Sequence, residues 1–78
     1  MSYVVTTTPK VSDLVLDPFV YSETLTQALH AGCLADATAE GLARVLPTAI
    51  AQLDAIGDPY GAMALDSLYE QLDSMAIA

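Results

Sequence analysis

The sequence predicts an all-α protein: a small antiparallel three-helix bundle or helical hairpin with a kink near Pro47, preceded by an extended, β-like N-terminal arm. Three observations predict it. Asp17-Pro18 and Asp58-Pro59 repeat one helix-start device, an N-cap carboxylate followed by a proline at the first helical position, where its missing N–H costs nothing. Gly32 and Gly57 stand where a chain leaving a helix needs a left-handed residue. Between these marks, apolar residues recur at steps of three and four.

The arm comes first. Tyr3-Val4-Val5-Thr6-Thr7-Thr8 is aromatic or β-branched throughout and reads as a strand. Pro9 stops it, because proline lacks the donor that a sheet interior uses. Val11 to Leu16 is a second short apolar piece, expected either to pair back on the first or to lie as an irregular arm. The chain thus divides into an extended arm over 1–16 and one helical domain over 17–78. A helical chain this small has no sheet of its own, so the arm is expected to fasten to a strand edge of a second molecule.

The first helix is expected over residues 18–31, with Ser22 as an alternative start, a stripe of Tyr21, Leu25 and Ala28 widened by Leu29, and Gly32 as its stop. Asp36 reads as the N-cap of the second, with Glu40 near the positive end of its dipole. Leu42, Leu46, Ala49, Leu53 and Ile56 then alternate at four and three. Pro47 interrupts this seam. It removes a hydrogen bond and crowds the carbonyl of Ala43, at a cost of ~3 kcal/mol, so a bend or break is expected between Arg44 and Pro47. The third helix starts at Asp58-Pro59 and carries the cleanest stripe, Ala62, Leu65, Leu68, Leu72 and Met75, with Tyr69 beside it. Asp66, Glu70 and Asp73 cover its other side as an acidic surface.

Composition narrows the function classes. The 78 residues allow a single domain, and 54% of them are hydrophobic, which excludes a disordered acidic tail. Lys10 and Arg44 face ten acids, for a net charge of -8. That balance excludes ordinary phosphate-backbone binding, which needs clustered cations, and disfavours an anionic membrane surface. No uncharged apolar stretch approaches the ~20 residues of a bilayer span, so no membrane insertion is expected. No signal peptide is read at the N-terminus, and Cys33 has no partner for an internal disulfide; a reducing, cytoplasmic setting follows as the expectation. Thirteen of the 42 hydrophobic residues are Ala, each burying little area. A core that small suggests completion by another chain, as a homo-oligomer or on a protein partner.

The residues that carry chemistry elsewhere are sparse here. His30, Cys33 and Asp36 follow one another at steps of three, and zinc accepts all three types, but Gly32 ends the helix between them and a fourth ligand is missing. Cys33 and His30 lack an orienting third group and a dry pocket for covalent catalysis. Asp13/Asp17 and Asp66/Glu70 are carboxylate pairs on polar positions, where neither member is desolvated enough for acid–base work. Gly32, Gly41, Gly57 and Gly61 build no phosphate loop. No catalytic residue, metal site or cofactor is therefore assigned, and the chain is not expected to be an enzyme.

Two short motifs resemble those of known families. Asp66-Ser67-Leu68 is similar to the attachment motif of acyl carrier proteins; in that family the serine opens a helix midway along the domain, whereas Ser67 lies inside a late helix. Tyr69 to Asp73 resembles the Tyr-x-x-x-Asp/Glu export signal of type VII secretion hairpins. That family's Trp-x-Gly turn is absent, and Pro18 falls where its first helix is continuous. Neither motif assigns the chain.

The function expected from the sequence is a non-enzymatic acidic helical interaction module, an accessory or assembly subunit that self-associates or docks on a larger protein. Its partner interface is expected at Val4, Val5, Leu65, Leu68, Tyr69 and Leu72, with Asp66, Glu70 and Asp73 steering association. The alternative is a small acidic inhibitor that occupies a basic, for example nucleic-acid-binding, site on a target enzyme.

Overall fold

A computed structural model describes the backbone of residues 4–77 and the side chains of residues 4–74. Tyr3, which opens the expected strand, and the Met75 side chain lie outside the described residues. Among the described residues four helices follow in order: α1 (Val11–Leu16), α2 (Pro18–His30), α3 (Asp36–Ala55) and α4 (Pro59–Ile77). The all-α class holds, with one helix more than the sequence predicts.

The additional helix corrects the expected arm over 1–16. Val11, Leu14 and Val15 are spaced by three and one, which places them on one side of a helical turn; Leu14 is fully buried, and Val11 and Val15 pack against the core around it. β-branched residues favour strands only where a sheet is there to receive them. Asp17 then serves two helices. A residue before proline is pushed out of the α region, and Asp17 sits at φ -132°, ψ 64°, closing α1 and preceding Pro18 at the start of α2.

The other half of the expected arm, Val4 to Lys10, is non-helical and folds back on its own chain. Val5 N–H donates to the Cys33 carbonyl at 2.6 Å, and Ala35 N–H donates to the Val5 carbonyl at 3.0 Å, forming an isolated parallel bridge between Val5 and Leu34. The segment next crosses α3 at Gly41, where a Cβ would stand 2.5 Å from Thr8 Oγ1. Glycine in that turn leaves the room that the Thr8 side chain occupies.

α2 ends on Gly32 (φ 73°) and α3 on Gly57 (φ 83°), as the sequence predicts. After each, the next amide reaches back over the helix end: Cys33 N–H to the Ala28 carbonyl at 2.8 Å, and Asp58 N–H to the Leu53 carbonyl at 2.9 Å. Of the bend or break expected between Arg44 and Pro47, the break does not occur, because α3 is a single helix through Pro47. Pro47 and Ala43 are both exposed, so the carbonyl that proline leaves without a donor falls on the side open to water, while Leu46 and Ala49 stay buried.

α4 packs on both α2 and α3, and α1 packs on α3 and α2. Pro18 lies against Gly61, Ser22 Oγ donates to the Ala64 carbonyl at 2.8 Å, and His30 Nε2–H donates to Gln71 Oε1 at 2.6 Å. Residue numbers rise together along these contacts, so α2 and α4 run parallel, with α3 returning between them in the chain. The core is built on leucine, not alanine: nine of the eleven leucines are buried, with Ala49 and Ala62. Thr38 is the buried polar residue among those described, and its hydroxyl is satisfied by the Val5 carbonyl at 3.0 Å.

Candidate interaction surface

The two Asp-Pro starts come together at one end of the bundle. Asp58 Oδ1 accepts from Gly61 N–H at 3.0 Å, capping the first turn of α4. A Cβ on Gly61 would stand 2.8 Å from Pro18 Cγ, so the first turns of α2 and α4 are in contact there. α3 also finishes at this end, since only Ile56, Gly57 and Asp58 separate it from α4.

Large apolar side chains are exposed on both sides of that contact. Leu16, Phe19 and Val20 flank Asp17-Pro18, and Ile56, Tyr60 and Met63 flank Asp58-Pro59; each is between 56% and 78% exposed. Val4 is the other large hydrophobic residue exposed among those described. Scattered surface hydrophobes are ordinary, but six gathered at one end are not. The two aromatic rings alone expose roughly 250 Å², scaling the usual area of such side chains by the exposure of Phe19 and Tyr60.

Carboxylates border this end. Asp17 and Asp54 are exposed, Asp58 is half-buried, and Asp66 shares a shallow depression with Ile50, Asp54, Pro59, Ala62 and Met63. The two cations lie away from it. Lys10 precedes α1 at the opposite end from Leu16, and Arg44 precedes Ile56 by twelve residues of α3, about 18 Å of helical rise.

The residues singled out from the sequence are placed differently. Leu65 and Leu68 are fully buried and Leu72 nearly so; all three supply the chain's own core and are not surface contacts. The third-helix stripe faces inward because α4 is the helix that both α2 and α3 pack against. Tyr69 is half-buried beside a small hollow of about 170 Å³ lined by Ala39, Glu40, Ala43, Leu72 and Asp73. Val5 has its N–H and carbonyl engaged with Cys33, Ala35 and Thr38, and Val4 is exposed. Asp66, Glu70 and Asp73 are exposed on α4. His30 bonds to Gln71, Cys33 is half-buried with its thiol 3.7 Å from the Ala31 carbonyl, and Asp36 is exposed in the first turn of α3. These three do not gather into a ligand set.

The end surface was legible in part. Phe19, Val20, Tyr60 and Met63 all fall off the apolar stripes of their helices, and large hydrophobes off a stripe are the residues a core does not consume.

Among the described residues, no helix is long and apolar enough to cross a membrane. No family model, no curated protein and no solved structure matches this chain.

Proposed function

We propose that this chain is a non-enzymatic, acidic helical interaction module, an accessory or assembly subunit that docks on a larger protein through the apolar end of its bundle. The observation that carries the reading is the division of its large hydrophobes. Leucines fill the interior, while Leu16, Phe19, Val20, Ile56, Tyr60 and Met63 stand exposed where α1 and α3 end and α2 and α4 begin. Covering the two rings alone is worth about 6 kcal/mol gross at ~25 cal/mol per Å², before the entropy of association is subtracted. The net negative charge keeps such a surface soluble until a partner covers it. A cytoplasmic setting fits the lone Cys33.

Site-specific photo-crosslinking in the source cells tests this reading. A photoreactive phenylalanine at position 19 or 60 is expected to give a discrete adduct, and the same group at Glu70 or Asp73 is expected to give none. Adducts confined to Glu70 and Asp73 would instead favour an acidic antagonist seated by charge on a basic site. Equal labelling everywhere would remove the docking end altogether.

A further inference from the structure

The charge around the apolar end says what can cover it. Asp17, Asp54, Asp58 and Asp66 border it and neither Lys10 nor Arg44 does, so two copies meeting end to end would bring eight carboxylates around one drying contact. A second copy would thus meet strong repulsion.

A single helix with an apolar stripe between rows of Lys and Arg matches both the exposed hydrophobes and the carboxylate border, its flanking cations falling over the carboxylates. We propose that the apolar end of this bundle receives a basic amphipathic helix of another protein, not a second copy of this chain. The inference rests on that end being the docking surface. Binding of this kind uses apolar contact for affinity and the Asp17, Asp54, Asp58 and Asp66 border for selection against acidic faces.

The test uses a synthetic Leu/Lys amphipathic helix of about fourteen residues as probe, titrated into the full chain and followed by amide chemical shifts and calorimetry. Controls are the Leu/Glu counterpart and a scrambled Leu/Lys peptide of equal charge. Saturable binding is expected, with shifts centred on Leu16, Phe19, Tyr60 and Met63, at least ~10-fold weaker in Phe19→Ala and Tyr60→Ala and weaker in high salt. Both side chains are exposed, and unchanged thermal unfolding of the variants would show that their fold is intact.

Equal binding of the scrambled peptide, or shifts centred on Glu70 and Asp73, would overturn the proposal. So would dimerisation of the chain that Phe19→Ala abolishes, or shifts of the same residues on zwitterionic vesicles with no response to the peptide. If crosslinks form at positions 19 and 60 but the probe does not bind, the helix proposal falls and the docking end stands; if both fail, both fall.

Discussion

The hydroxyl of Thr38, fully buried in the first turns of α3, donates to the main-chain carbonyl of Val5, thirty-three residues earlier, at 3.0 Å. That carbonyl also accepts the Ala35 amide at 3.0 Å, so a non-helical segment is held by an α2–α3 link and a helix at once. An extended piece of chain without a sheet would otherwise leave its amides to water, and this bond draws it onto the bundle.

Thr38→Val keeps the shape of the side chain and removes the donor. A loss of about 1 kcal/mol is expected, since the Val5 carbonyl retains the Ala35 amide. Urea unfolding reads the loss, and hydrogen exchange at Val5 and Ala35 should accelerate more than exchange in α4. Uniform acceleration through all four helices would mean that the bond is not local to the clasp.

Gly41 and Thr8 form a coupled pair. Alanine at 41 gains up to ~1 kcal/mol of helix propensity but meets the Thr8 hydroxyl and methyl at 2.5 and 2.9 Å. Gly41→Ala is therefore expected to destabilise when Thr8 is present and to be stabilising relative to Thr8→Gly alone. A double-mutant cycle by chemical unfolding should give a coupling of at least ~0.5 kcal/mol. Additivity would show that the segment does not cross α3 at that turn.

Pro47→Ala restores a donor to the Ala43 carbonyl and relieves crowding within α3. Pro47 is exposed and touches no leucine packing that the change would empty. A stabilisation of ~1–3 kcal/mol is expected, seen as a higher melting temperature at unchanged helical content. An unchanged or lower melting temperature would mean that the proline contributes something beyond helix geometry.

Much of this fold is legible in the residues. The Pro18 and Pro59 starts, the Asp58 cap, the Gly32 and Gly57 stops and the inward stripe of α4 follow from rules acting within a few residues, whereas the Asp17 carboxylate, expected as a cap, makes no cap bond to α2. What escapes local rules is tertiary. Val11 to Leu16 carries both a strand's composition and a helix's spacing, and only α3 lying alongside decides for the helix. Pro47 breaks α3 by propensity, yet the defect falls on the solvent side and the buried leucines on the other side hold the helix together. The candidate surface is harder to read for the same reason. Leu65, Leu68 and Leu72 form the most conspicuous stripe in the sequence, and conspicuous stripes are what a small core consumes first. The exposed residues left over, Phe19 and Tyr60 among them, are visible only when the stripes are subtracted.

The central claim is that one chain closes its own core and holds its apolar end in reserve. Thermal unfolding of the wild type and of a Phe19→Ser/Tyr60→Ser variant, from about 1 to 100 µM protein, tests it most directly. The expected result is a single cooperative transition whose midpoint is independent of concentration and little changed by the two substitutions. A midpoint that climbs with concentration and drops in the variant would contradict the account, because the end would then belong to a self-assembled core.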